Sequence, residues 1–268
     1  MCSSAGRTCR STGDKGAELK GYAMHQGLVP QSGPAKIAPV FYARPPMTGK
    51  AFNALPVIAG HTEAGSTRKG RLAVLADDVR LLVAEDLRAT PDPLGFLLNI
   101  GLPNDAPLLT SNDLDSFVYP LVSRLTAASR RPFASVWASK RYARTSSAAV
   151  FQAHPTEDPG GVQQLQVRTT ASIATTTFRQ QIRSQIAAAP AFPTGDIALQ
   201  LSFVVGPRRV WSNLWKVTID SLGPLLGHPV NIHGERPDGR ITDLGLHCVV
   251  DPDVGHDVVI AIRMNPVA

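Results

Sequence analysis

From Arg68 to Arg88 the apolar residues Leu72, Leu75, Val79, Leu82, Val83 and Leu87 recur at three- and four-residue spacing. That period places them on one face of a helix, and Pro91 and Pro93 end it. "LGFLLNIGL", residues 94–102, is apolar almost throughout and predicts a buried strand. After a polar loop, Phe117, Val118, Leu121, Val122 and Leu125 restore the helical period. "FASVWASK" and "SSAAVFQA" then flank the basic turn "RYAR", which predicts a hairpin.

"HPTEDPGG", residues 154–161, is dense in turn formers and reads as a linker. Beyond it the same order returns. "LQVRT" predicts a strand, and Phe178, Ile182 and Ile186 mark a helix. In "IALQLSFVV", Ile197, Leu199, Leu201 and Phe203 alternate with small or polar residues, a strand with one buried face. "NLWKVTIDSL" carries Leu214, Val217 and Leu222 on one helical side. "ITDLGLHCVV" and "VVIAIRM", separated by "DPDVGHD", predict a second hairpin. Upstream, "VFYA", residues 40–43, is a short β-prone run ahead of Pro45 and Pro46.

Each half therefore reads strand, helix, strand, helix, hairpin. A repeat of about a hundred residues implies duplication, with the copies meeting as two identical chains would. The expected fold is α/β of the α+β kind, with one unit over 39–153 and a second over 162–268 packed as a pseudo-dimer. Residues 1–38, rich in Gly, Ser, Lys and Arg and lacking periodicity, read as a disordered basic arm.

Composition sharpens the partner class. The 27 basic residues exceed the 21 acidic ones, for a net charge of +6. Arginine dominates the basic set and makes bidentate phosphate contacts, so a polyanion is the expected partner. No apolar run is long enough to span a bilayer, and the N-terminus lacks a signal-peptide core. Cys2, Cys9 and Cys248 are too few and too scattered for a disulfide framework or a zinc site. A reducing cytoplasm is the expected setting. No P-loop, serine-hydrolase or dinucleotide-binding glycine pattern occurs.

The candidate chemistry lies in "SNDLDSFVYPLVSRL", residues 111–125, and its echo "RVWSNLWKVTIDSL", residues 209–222. Asp113 and Asp115 precede a helix two positions apart. On an extended segment they would share one face, about 6.6 Å apart. Two readings stand for them: a Mg²⁺ or Mn²⁺ site for phosphate chemistry, or a helix cap and a first-turn acid complementing the helix dipole. Arg124, Arg130, Arg131, Lys140, Arg141, Arg144, Arg208 and Arg209 would line a phosphate-binding groove. Trp137, Trp211 and Trp215 read as core residues or as base-stacking platforms. The acids and histidines from His247 to Asp257 read as a tight turn rather than a metal site.

The order of elements and the acid pair resemble the RusA family of Holliday-junction resolvases. That family is a small α/β homodimer with a motif of the form P-D-x-D-N-x-x-K-x-x-x-D and a further aspartate before the next strand. In the first copy, Asp113 and Asp115 stand at the acid positions, with Ser116, Tyr119 and Ser123 at the Asn, Lys and late Asp positions. In the second, Val210 and Ser212 replace the acids, while Asn213, Lys216 and Asp220 are kept and Asp238 matches the further aspartate. The resemblance implies a metal-dependent endodeoxyribonuclease of DNA recombination and repair. Asp113, Asp115 and Asp238 would bind Mg²⁺ or Mn²⁺, Lys216 would assist catalysis, and branched DNA would be the partner of a monomer acting as a pseudo-dimer. The alternative is a binding or interaction protein that has lost its chemistry.

Overall fold

The computed structural model describes residues 38–53, 68–109, 113–227 and 237–267. The expected arm therefore lies outside the described residues, apart from Ala38. The fold is mixed α+β: ten strands, β1 (Phe41–Tyr42), β2 (Lys50–Phe52), β3 (Leu94–Leu102), β4 (Phe133–Tyr142), β5 (Ser146–Gln152), β6 (Pro155–Thr156), β7 (Gln163–Thr169), β8 (Ile197–Val205), β9 (Ile241–Val250) and β10 (Val258–Pro266), with five α-helices among the described residues. The helices are α1 (Arg68–Leu82), α2 (Ala84–Ala89), α3 (Leu114–Ser129), α4 (Thr176–Ile186) and α5 (Leu214–Ser221). The periodic run read as one helix breaks at Val83, and its apolar positions Leu75, Val79, Val83 and Leu87 are buried regardless.

One sheet of eight strands carries both halves in the order β2-β5-β3-β4-β9-β8-β10-β7. Read inward from either edge, it repeats one plan. A strand pairs antiparallel with β5 or β10, that strand pairs antiparallel with β3 or β8, and β3 or β8 runs parallel to β4 or β9. The irregularities coincide too: the register shifts between Leu94 and Gly95 on β3, and between Ile197 and Ala198 on β8. β4 and β9 join the two plans antiparallel, pairing Ser135 with His247, Trp137 with Gly245 and Ser139 with Asp243. A Cβ on Gly245 would sit 3.0 Å from the Trp137 ring, so glycine makes room for the indole at the middle of this seam.

Both expected hairpins need correction. β3 lies between β4 and β5, and β8 lies between β9 and β10. Each pair is adjacent in sequence and joined by a turn, yet it straddles the central strand. The alternation that marks a strand does not say which neighbour it pairs with, and the nearly uniform apolarity of β3 suits a strand flanked on both sides. The expected linker also has structure: β6 pairs with β1, and Asp158 binds Arg263 at 2.5 and 2.7 Å.

The helices and one face of the sheet form the main core, into which Phe96, Leu98, Phe117, Leu121, Phe178, Leu199, Leu201, Trp215 and Ile260 pack. The opposite face is covered near the seam by the strap leading into β1, where Tyr42 joins Leu97, Trp137 and Phe151. Ser202 of β8 donates to the Val40 carbonyl of that strap at 2.7 Å. This cover buries Ser202, and Val254 and Val259 bury Val204, two positions that alternation alone marks as outward-facing.

Candidate functional site

The first turn of α3 and the start of α5 face one another. Asp113 occupies the N-cap position of α3, and Asp115 lies one residue inside the helix. The two are therefore not on an extended segment, and the strand-based spacing does not apply. Both are buried, at 3% exposure. The Asp113 side chain makes no capping hydrogen bond; the backbone of Ser116 donates to its carbonyl instead. The cap reading thus accounts for where Asp113 sits but not for what its carboxylate does.

A 3-10 turn, Trp211–Asn213, leads into α5. Lys216 projects from the first turn of α5 and sits 3.6 Å from Asp115 and 2.9 Å from Asp220. Tyr119 donates its hydroxyl to Asn213 Oδ1 at 3.0 Å and lies edge-on to Trp215, which packs against Trp211 at 4.7 Å between centroids. Between the helices lies a cavity of about 500 Å³, walled by Asp115, Ser116, Tyr119 and Pro120 on one side and by Ser212, Asn213, Trp215 and Lys216 on the other. Aligning the two motif copies equates Asp115 with Ser212, Ser116 with Asn213 and Tyr119 with Lys216. Both members of all three pairs line this one cavity.

Burial is the largest influence on Asp115 and raises its carboxyl above the usual carboxylate range. The Lys216 ammonium opposes that shift, while Asp113 and Asp220 reinforce it. A carboxyl that holds its proton more tightly when folded contributes most stability at pH below its unfolded value and loses it as pH rises through its folded value. Asp115→Asn is therefore expected to stabilise the protein at pH 7, read as a higher Tm. The gain should shrink as pH falls, because protonation of the wild-type carboxyl removes the charge that burial penalises. Lys216, half exposed and paired with Asp220, loses little in the exchange. Thermal melts at pH 7 and at lower pH check this; a lower Tm at pH 7 would mean that the Lys216 pair outweighs desolvation.

Asp238 belongs to a 3-10 turn, Pro237–Arg240, directly before β9. Its side chain lies outside the described residues, so the structure unites Asp113, Asp115 and Lys216 but not the full nominated set. Among the described residues, no three His, Cys, Asp or Glu side chains gather as a metal cluster would.

The nominated basic residues are scattered in role. Arg124 forms a two-pronged pair with Asp77 of α1 at 2.5 and 2.7 Å. Arg131 binds Asp92 and the carbonyls of Leu87 and Thr90, tying α3 to the end of α2. Arg141 shares Asp243 with Arg44. Lys140 is a correction: it is 1% exposed and donates to the Gly239 carbonyl at 2.7 Å, so it is no surface phosphate contact. Arg130, Arg144 and Arg208 are exposed, Arg130 as the left-handed C-cap of α3 at φ 57°. Arg209 is half-buried beside a second cavity.

The three tryptophans are buried, which favours packing over stacking on bases. Asp251 accepts from the Asp253 backbone in a 3-10 turn between β9 and β10, as the turn reading expects. His247 stands apart from that turn, inside β9. Sequence reasoning missed Asp243, an acid inside an otherwise apolar strand, and Tyr119 as a cavity wall. An isolated charge in a strand pattern was the available signal for Asp243.

No family model matches the chain, and no curated protein matches it either. Among the described residues no helix is long and apolar enough to cross a membrane.

Proposed function

We propose that the chain is a duplicated RusA-like protein that binds branched nucleic acid, with its halves packed as a two-fold pseudo-dimer. The observation that carries this reading is the shared cavity, in which three pairs of positions equated by the motif alignment face each other across the two halves. The mirrored strand order and the matching register shifts in β3 and β8 support the same duplication. A net charge of +6 and exposed Arg130, Arg144 and Arg208 support a polyanionic partner.

Cleavage is a second reading, favoured by one contact: Asp115 from one motif lies 3.6 Å from Lys216 of the other. The losses in the two motifs are complementary, and this contact brings retained residues together. Asp113 and Asp115 are the carboxylates that would hold Mg²⁺, which commonly takes only one or two carboxylates when phosphate and water fill its shell. A bound ion would activate water and offset charge on the phosphate. Lys216 supplies the fixed positive charge opposite Asp115, and Tyr119 and Asn213 hold the facing helix starts in register. Asp238 remains part of the proposed set on the motif match alone.

The test is a labelled four-way junction and a matched linear duplex, each incubated with the protein in Mg²⁺, Mn²⁺ or EDTA. Preferential junction binding is expected, with an affinity that falls steeply with salt, by a log–log slope of about −0.9 per phosphate contacted. Metal-dependent cutting that disappears in both Asp115→Asn and Lys216→Met would establish the composite centre. A shifted but uncut junction would leave the binding reading alone, and equal or absent binding to junction and duplex would overturn both.

A further inference from the structure

A second cavity, of about 770 Å³, opens where three loops of the second half converge. Its walls include Thr170 and Ser172 from the β7–α4 loop, Arg208 and Arg209 from the turn after β8, and His256 from the β9–β10 turn. Among the described residues no carboxylate lines it. Two acids of the neighbouring turn are engaged elsewhere, Asp251 accepting from the Asp253 backbone and Asp257 binding Arg168 at 2.5 and 2.9 Å, while Asp253 is exposed and not part of the lining.

The two arginines differ from those tied into ion pairs. Arg44, Arg124, Arg131, Arg141, Arg168 and Arg263 each meet a carboxylate. Among the described residues Arg208 and Arg209 meet none, so their charge is uncompensated at the cavity wall. Arg209 is also held in place. One of its terminal nitrogens donates to the His256 carbonyl, while its Nε is buried without a hydrogen-bond partner. The walls beneath are pinned backbone to backbone: a Cβ on Gly206 would fall 2.0 Å from the Gly255 carbonyl oxygen, a separation only glycine permits. The β3–β4 and β8–β9 registers equate this turn with Asn104, Asp105 and Ala106 of the first half, which carry the opposite charge. The feature thus belongs to one half only.

We infer that this cavity is a phosphate-binding subsite, in which Arg208 and Arg209 clasp the anion and the Thr170 and Ser172 hydroxyls and the His256 ring complete its walls. Guanidinium groups match phosphate oxygens in a planar fork, and a pre-set Arg209 loses little freedom on binding. The volume is within the range of small-ligand pockets, large enough for one nucleotide. Ser212, a wall of the first cavity, is only three positions after Arg209, so the two backbones are no more than about 11 Å apart. A strand phosphate held here would thus enter the first cavity from its neighbour. The phosphate can come from a free nucleotide or from a strand; the strand form rests on the nucleic-acid reading above, whereas the subsite itself does not.

The experiment compares thymidine, thymidine 5′-monophosphate and a short single strand by calorimetric titration, on wild-type protein, Arg208→Gln and Arg88→Gln. Arg208 is exposed and makes no hydrogen bond or ion pair among the described residues, so its loss removes no such tie from the fold. Binding that requires the phosphate, weakens about ten-fold or more in Arg208→Gln and is unchanged in Arg88→Gln, an exposed arginine outside the nominated groove, would support the subsite. The mononucleotide binding as well as the strand would identify free nucleotide as the source, and binding by the strand alone would identify nucleic acid. Equal binding of thymidine and its monophosphate, no binding by any probe, or an Arg208→Gln protein that binds like wild type would overturn it. If the junction still shifts in that last case, the subsite fails while the proposed function stands; mononucleotide binding without any junction shift gives the converse.

Discussion

Lowering the pH from 7 toward 4 is expected to destabilise the protein with a slope approaching about 1.4 kcal/mol per pH unit, the signature of one buried group taking up a proton on unfolding. That group is His247. Its ring is fully buried among Phe41, Tyr42 and Trp137, and burial holds its pKa down from 6.5 to about 3. Nδ1 lies 3.2 Å from the Ser135 hydroxyl and Nε2 lies 3.3 Å from Gln200 Oε1. A neutral imidazole satisfies both neighbours, with Nε2 donating to Gln200 and Nδ1 accepting from Ser135. Because the folded value is below the unfolded one, this stability is complete above pH 6.5 and drains away as pH falls from 6.5 toward 3. Urea midpoints at pH 7, 5.5 and 4.5 measure the slope. His247→Asn should flatten it, and an unchanged slope in that variant would move the titrating group elsewhere. Asp115 works in the opposite sense over the acid end of the window, so the slope should steepen in Asp115→Asn.

Trp215→Ala should cost about 3–5 kcal/mol, the largest loss expected of any single side chain discussed above. Trp215 is fully buried, stands 4.7 Å from Trp211 and receives Tyr119 edge-on at 6.5 Å. Removing it would empty the joint between the start of α5 and the facing surface of α3. Trp215→Phe should cost much less, about 1 kcal/mol, because the ring contacts persist and a buried indole N–H without a hydrogen-bond partner is removed. Urea denaturation separates the two variants. A small loss in the alanine protein would show that α3 and α5 settle together without the indole.

The contrast between legible and hidden features follows from the range of the interactions. Periodicity exposed the strands at 94–102 and 197–205 and the helical core of Phe117, Val118, Leu121, Val122 and Leu125, because local spacing dictates which face is buried. It could not reveal that β3 inserts between β4 and β5, since strand partners are chosen by packing between distant segments. The strap over Ser202 and the short β1–β6 pair were hidden for the same reason. Within the candidate site, the acid pair and Lys216 were visible as motif residues. Their meeting was not, because Asp115 and Lys216 are about a hundred positions apart in sequence and only the seam brings them together. Lys140 misled because a basic residue beside a turn looks exposed until a backbone carbonyl is found to receive it.

The β4–β9 seam also sets a demand on biosynthesis. Ser135 and His247 are 112 residues apart, so β4 can find its antiparallel neighbour only after almost the whole chain has left the ribosome. At about 5–20 residues per second, the first half waits roughly 5–20 s with "FASVWASK" as an open β-edge. Such an edge is a ready template for another nascent chain. Newly made protein is therefore most vulnerable to self-association before residue 250 emerges, and slowing translation past β4 should lower soluble yield without altering the stability of molecules that complete the sheet.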